Sequence, residues 1–565
     1  MVKVLILFCI SLYKVDTVYV SKKRYKINIF QAPFSVWIIP EEELSLNESL
    51  MKLPGITLLD YGNLSTVSVR GSGSEQVTVS LDGVPLNSTQ TGVFDLSLIP
   101  SFFIEEGYVI GISSASLEPG GNTGGMVSFY SKEKERSILF SSGSFGKIIS
   151  GAIYSIHHLT MGVYGEHNKN RYPYKDRFNR VYYRENAEYT HLAQYGAWNS
   201  SHFKLFCFST YRDAEIPEKL GSLSGLPQKC EKVVMGSAEY TIKNIRVSGY
   251  TLFYSLWFKD TLFGTDLHDN ISSGMDAFWK GKNIKIGTHI KREYVSSTKI
   301  GKHTRYTGGF DFLSKWKLHS LSFLSSLQLE GSKENLYLMS LFLSLFLPIK
   351  NNMGTYYNIS AGYRYPTMNE LYWPEDAFAS GNPLLKSETE KTFEVGVRYI
   401  SSLLIQAGGF FKIGRERIIW MQQEDGKYKP VNASIFSAWG GEINLISSYP
   451  IKTSFAYTLL FGKMDKGVVP YRPRHRLSLT TEHHGFYMES FILLKRPNNF
   501  SGLSFLEDIY LFNIGYRRTK ELHNFIIQIK GGVKNILDKN YEYIKGYPLP
   551  GRRYEISLKI KQKEV

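Results

Sequence analysis

Two pairs of adjacent histidines, His157–His158 and His483–His484, are the side chains best suited to hold a metal ion in this 565-residue chain. Both lie in runs that alternate like strands. Neighbours on a strand point to opposite faces, so neither pair makes a good chelate, and both read better as turn or interfacial residues. The thiols are three, Cys9, Cys207 and Cys230, with no CxxC and no Cys/His cluster. That excludes zinc ribbons and iron–sulfur sites. Cys207 and Cys230 could pair in an oxidising compartment, or Cys207, within FKLFCFSTY, could simply face lipid. No GxSxG elbow, HExxH helix, Walker loop or strand-linked GxGxxG is present. The chain therefore carries no expected catalytic residue, metal site or cofactor, and an enzyme is not expected.

The formal net charge is +16, but lysines and arginines are scattered, without a basic helix or a stacking platform. Nucleic acid is not an expected partner. An anionic lipid surface, lipopolysaccharide included, is the partner such charge suits. The elements that would carry these residues are strands. Near the end, Tyr554, Ile556, Leu558 and Ile560 alternate with Glu555, Ser557, Lys559 and Lys561. This period of two gives one apolar and one polar face. Repeated over many strands, it suggests a wet interior and a greasy exterior, the pattern of an outer-membrane barrel. Aromatics make up 14% of the chain, with 38 Tyr and 35 Phe, enough for two interfacial girdles. Composition alone would suit a soluble β-sandwich or β-helix equally well. No run reaches the ~18 apolar residues of a spanning helix. The nearest, Tyr337 to Ile349, is broken by Ser340, Ser344 and Pro348. Lys3 followed by apolar Val4–Tyr13 has the order of a secretory signal, placed at residues 1–15, though no small-x-small cleavage site follows and an N-terminal strand or a mis-called start is the alternative.

Residues 27–131 have a different texture, with helical and strand signals mixed. EEELSLNESLMKLPGI reads as a helix stopped by Pro54 and Gly55, and STVSVRG and EQVTVSLDGVPLN as short strands. From residue 132 to 565 the pattern is uniformly β. Strands are expected at Arg136–Phe140, Lys147–His157 and Leu159–Glu166, with long loops at Lys169–Asn186 and Asp213–Lys232 and a short link at Asn199–Ser200. At ~10 residues per tilted strand, about 22 strands would use half of what remains, and roughly 16 or 18 strands with longer loops would fit as well. A small α+β domain ahead of so large a barrel suggests a plug in its lumen.

Four segments resemble the TonB-dependent outer-membrane transporters. VDTVYV, with Asp16, Thr17, Val18, Tyr19 and Val20, is similar to the TonB box, an extended peptide that adds to the edge of a partner's sheet. LMKLPGITLLDYG, VSVRGSG, VTVSLDGVPLNSTQTGVFDLSLIP and NTGGMVSFYS follow the order of the family's plug. Their sharpest points are Arg70–Gly71, Asp82–Gly83 and Gly124–Gly125, where glycine permits positive φ and close backbone approach. GISSASLEPGG departs from the family pattern, with Ile112 in place of a proline. The glycine-rich GGNTGG falls in this block, which argues against a phosphate loop. RYPTMNELYW…GNPLLKSE (Arg364–Glu388, including Pro366, Asn369, Glu370, Leu371, Asn382 and Pro383) and VKNILDKNYEY…GYPLPGRRYE resemble the barrel's own register devices. The chain ends in Lys563, Glu564 and Val565 instead of the usual aromatic residue.

The resemblance implies a 22-stranded antiparallel transmembrane β-barrel with an N-terminal α+β plug at 27–131, preceded by a TonB-box segment at 16–26. It implies active import across an outer membrane, TonB as partner, a small metal chelate as ligand and a monomeric state. The plug and closing hairpin look most like the cobalamin-receptor branch, with ferric-siderophore receptors as the alternative and a passive pore or adhesin as a different class. Tyr365 to Gly381 lacks the histidine of haem receptors, and Asp176 alone in its loop does not make a calcium site. Substrate contacts are expected from outer loops and the plug apex, including Asn87, Ser88, Thr89, Gln90 and Thr91.

Overall fold

The structure, a computed structural model, describes residues 35–39, 44–113, 123–176, 178–221, 225–333, 337–350, 352–465 and 467–563. The Asp16–Val20 segment, Cys9, the segment at 1–15 and Gly120–Asn122 lie outside them. Twenty-two antiparallel strands close into one barrel. Closure joins Arg553–Gln562 to Ser137–Gly143, in a register running from Glu555↔Gly143 to Lys561↔Ser137.

The period-two pattern sorts the wall as expected. Tyr554 and Ile556 project outward and are exposed, while Glu555 faces the lumen between Lys147 and Lys534. On strand Gly301–Leu318, outward Tyr306 and Trp316 lie ten positions apart. On a tilted strand that separation spans about 25 Å, the height of a lipid-facing band with its two aromatic edges.

One rim is made of two-residue links: His157–His158, Lys243–Asn244, His319–Ser320, His484–Gly485 and His523–Asn524. The first residue of each has a positive φ of 46–53°. Both histidine pairs thus fall at turns, as their spacing implied. The opposite rim carries the long connections, among them 169–188, 365–387, 495–508 and 535–552. Short turns mark the periplasmic side of such barrels and long loops the outer side.

Inside the lumen sits a five-stranded sheet, in the order Val36–Ile38, Ile104–Ile110, Gly125–Ser131, Val77–Leu81, Val84–Pro85. Within that sheet only the pairing of Val77–Leu81 with Gly125–Ser131 is parallel. A separate hairpin, Ile56–Asp60 with Ser65–Val69, and the helix Leu46–Met51 complete this plug. Leu50, Ile56, Val84, Leu98, Val109, Val127 and Phe129 form its fully buried core. The core runs on into the wall, where Phe103 packs 4.7 Å from Tyr195 and 6.1 Å from Tyr164.

Three expectations need correction. The helix expected across EEELSLNESLMKLPGI is six residues, Leu46–Met51, because Ser45 begins it and Lys52 already leaves it. The long loop expected at Asp213–Lys232 is shorter at both ends, eight of its twenty residues being strand. Phe203–Glu215 and Gln228–Ile242 extend past the lipid band and leave only 216–227 as connection. Cys207 and Cys230 are both free. Cys207 lies opposite Gly236 and Cys230 opposite Asp213, six residues apart in register, or about 20 Å. No disulfide can bridge that distance.

Candidate functional site

The plug is fixed to the wall by ion pairs whose geometry starts from backbone conformation. Arg70 has φ 49° and Gly71 φ 80°, a double left-handed step at the end of Ser65–Val69 that turns the arginine side chain sideways into the wall. Arg70 donates from Nε and Nη2 to Glu442 at 3.0 and 2.6 Å, and from Nη2 to Glu394 at 2.7 Å. Its guanidinium also covers the Phe410 ring at 4.7 Å. Burial by itself would weaken the arginine's hold on its proton, but the two carboxylates outweigh it and push its pKa upward. Nearby, Lys412 Nζ donates to Ser72 Oγ and to the Gly124 carbonyl, both at 3.0 Å. A side chain at Gly124 would strike Ser72 Cβ at 2.7 Å, and one at Gly125, with φ 121°, the Ile110 carbonyl at 2.5 Å. The Asp82–Gly83 step, φ 48° and 75°, closes the hairpin from Val77–Leu81 to Val84–Pro85 as a tight turn with two left-handed residues. Each of the paired plug positions read from sequence therefore has a backbone reason.

On the side of the helix one of the two ion pairs is only partly buried. Glu48 meets Lys534 at 2.6 Å and Lys52 meets Glu489 at 2.7 Å, while Arg476 donates to the Met51 and Leu53 carbonyls. Between this part of the plug and the wall lies a cavity of about 240 Å³, lined by Asp60, Lys147, Glu166, Arg212 and Glu555 among others. Burial pushes the Asp60 carboxyl up to about 6, with the Gly62 amide opposing and Asp95 reinforcing the rise. Asp95 itself is held below its usual range: burial would raise it, but Lys229 and Arg212 overcome that.

The outer end of the plug is made of three turns. The first carries Tyr61, Gly62 and Asn63, the second Gly73–Gln76, and the third Ser88–Gly92. In the third, Asn87 is spent on the turn itself. Its Oδ1 accepts from Val79 N, and its Nδ2 donates to the Val77 and Gly92 carbonyls. Ser88, Thr89 and Gln90 are buried against the wall, where Gln90 N donates to Asn270 Oδ1 at 3.0 Å and its amide meets His268 at 3.1 Å. Thr91 is exposed. The loop 365–387 reaches in over this turn. Its helix Met368–Tyr372, begun by a Thr367/Glu370 capping box, donates from Met368 N to Thr89 O and from Asn369 N to Gln90 O. Arg364 clamps the loop base by bonding Glu370 at 3.1 Å and Glu388 at 2.7 Å. The motif Arg364–Glu388 is thus a register device that also contacts the plug apex.

Around the first of these turns the surroundings are aromatic and basic. Tyr61 packs edge-on against Tyr547 of the outer loop 535–552, with ring centroids 5.2 Å apart. Arg184 stands over the Tyr547 ring at 5.9 Å. Arg472, held by the Ser72 carbonyl at 3.3 Å, and Tyr471 act on Tyr61 from the next loop. Burial lowers the Arg472 pKa to about 10, Glu75 acting against the fall and Arg417 with it. Sequence reasoning missed Tyr61, Arg184, Tyr471, Arg472 and Tyr547. Their only local sign is the mixture of tyrosine and arginine in loop stretches such as YRPRHR at Tyr471–Arg476.

A plug domain inside a closed barrel is mirrored in sequence models. Residues 28–127 match the TonB-dependent receptor plug domain, and residues 158–524 match the TonB-dependent receptor-like β-barrel. The chain belongs to the TonB-dependent receptor family. These are transporters and receptors, not enzymes, and their large barrels are characteristic of the Gram-negative outer membrane. Among characterised relatives, the vitamin B12 transporter BtuB of Photobacterium profundum is 23% identical over 442 residues, 69% of this chain and 68% of that one. The vitamin B12 transporter BtuB of Vibrio vulnificus is 22% identical over 493 residues, 76% and 75% of the two chains. Among solved structures, the siderophore receptor PirA from Acinetobacter baumannii superposes with a TM-score of 0.71 at 13% identity, covering 96% of this chain and 100% of that one.

Proposed function

We propose that this receptor imports a corrinoid of the cobalamin type across the outer membrane, at the expense of work delivered by TonB through the Asp16–Val20 segment. The observation that carries the cargo is the sequence likeness to vitamin B12 transporters over more than two thirds of the chain. The floor of the vestibule supports it. Tyrosines, an exposed threonine and arginines offer flat faces and hydrogen-bond donors, which suit a chelate whose metal is already fully coordinated. Capture begins on the outer loops and on Thr91. The Ser88–Gln90 turn, tied to both the wall and the Met368–Tyr372 helix, registers the ligand and passes the change through the plug. Pulling on the N-terminal segment then strips the Leu46–Met51 side, held by fewer buried ion pairs, before the side locked by Arg70.

A ferric siderophore is the second reading, favoured by the two buried arginines beside the tyrosines. Titration of the purified receptor with cyanocobalamin and with a panel of ferric siderophores decides between them. Micromolar or tighter binding of cyanocobalamin is the expected outcome. Binding of a siderophore with no binding of any corrinoid overturns the cargo and leaves the transporter standing.

A further inference from the structure

One cation beside the tyrosines of the floor is buried without an acidic partner among the described residues. Arg184 is 5% exposed, yet among the described residues its Nε and Nη2 find no protein acceptor. Those two nitrogens lie on one edge of the guanidinium, the pair of parallel N–H groups that grips a carboxylate or phosphate in two places at once. The groups that act on Arg184 are Tyr172, Tyr174 and Tyr547, all of them neutral. Its position is set by structure on both sides. Its backbone N–H donates to Tyr172 O at 2.8 Å, and Tyr172 in turn donates its hydroxyl to Pro548 O at 2.8 Å, joining loop 169–188 to loop 535–552. Exposed arginines of the same loop are already paired, Arg171 with Glu185 at 2.7 Å and Arg180 with Asp176 at 2.7 Å. The buried one is left open, although a buried charge is costly without a counter-charge.

We propose that Arg184 is an anion subsite of the ligand pocket: it takes an oxyanion carried by the imported chelate, while Tyr547 and Tyr61 take the flat body beside it. The ligand class is thereby narrowed to large chelates bearing a phosphodiester, carboxylate or catecholate oxygen next to a planar surface. Arg472, on the far side of the tyrosine pair, adds positive potential without offering a second open fork, because its Nη1 and Nη2 already bond the Pro470 and Ser72 carbonyls. The inference rests on the vestibule being the capture site.

Matched ligands test it. Cyanocobalamin carries a phosphodiester in its nucleotide loop, and cobinamide is the same corrinoid without it. For Arg184→Gln, cyanocobalamin affinity is expected to fall about 10- to 100-fold, with cobinamide unchanged. Arg184→Lys is expected to recover only part, because a single ammonium cannot fill a two-point grip. A ferric tris-catecholate forms a second arm. If it binds, loses affinity in Arg184→Gln, and no corrinoid binds at all, the anion subsite stands and the corrinoid reading falls. Phenyl phosphate, scored by thermal shift, provides a third arm independent of either cargo, with stabilisation expected in the wild type and not in Arg184→Gln. Equal responses of the wild type and Arg184→Gln to every ligand that binds, phenyl phosphate included, overturn the proposal, as does a parallel loss for cobinamide and cyanocobalamin. Wild-type melting temperature and heat-modifiable mobility in the variants separate lost binding from lost folding.

Discussion

At the residue scale, function and stability both turn on buried charge. Arg70 neutralises two wall carboxylates at once, so Arg70→Gln leaves Glu394 and Glu442 desolvated and facing each other's charge. Loss of one partner of a buried pair costs about 3–5 kcal/mol. A fall of that size is expected in chemical denaturation, with recovery of most of it in the charge-free triple variant Arg70→Met, Glu394→Gln, Glu442→Gln. Failure of the triple variant to recover would mean that Arg70 acts through packing on Phe410 and not through charge. Asp60 provides a pH signature of opposite sense. Its carboxyl is raised to about 6 in the fold from an unfolded value near 3.8. The native state therefore binds the extra proton between those two values, and stability falls as pH rises through that window. The loss is roughly 1–3 kcal/mol, tempered because the group lines a cavity and is half-buried. Asp60→Asn is expected to flatten the melting-temperature profile between pH 4 and 6.5, and an unchanged slope would place the titration elsewhere.

At the element scale, the N-terminal segment should act through its backbone. A strand added to a partner's sheet edge needs its N–H groups, and proline removes one while fixing φ. Val18→Pro is expected to abolish uptake while leaving ligand affinity within a factor of two or so of wild type, since the vestibule is built from other residues. Normal import by that variant would show that energy enters by another route. The same scale explains the histidine pairs and the plug glycines. His157 and His484 occupy left-handed turn positions on the periplasmic rim, and Asp82–Gly83 makes a two-residue hairpin. In both cases the residue types were informative about turns and silent about ligands.

At the scale of the whole molecule, a barrel this wide without its plug would be an aqueous pore. The plug fills the lumen with a core continuous with the wall and with buried ion pairs on several sides. Planar-bilayer recordings are expected to show little conductance for the intact receptor and large, stable channels after deletion of residues 27–131. Equal conductance of the two would favour a passive pore over an active importer.

The inside-out barrel, its plug and the family were legible along the chain. Period-two alternation is a local property, so Tyr554 to Lys561 announced an inside-out strand without knowledge of its neighbours. The plug motifs were legible because tight turns and close approaches restrict residue type at single positions, as Gly83 and Gly125 do. Only the tertiary structure decided which residues meet. Arg70 and Glu442 are 372 positions apart, and no local pattern couples them. Asn87 looked like a ligand-facing amide until the turn was seen to absorb all of its hydrogen bonds. Cys207 and Cys230 looked close enough to pair until strand register set them six positions apart. The vestibule was the least legible part. Tyr61, Arg184, Arg472 and Tyr547 come from one plug turn and three separate loops, brought together by barrel closure. Loops are free of the periodicities that make strands readable, and a surface assembled from a turn and three of them leaves its mark in space and not along the chain.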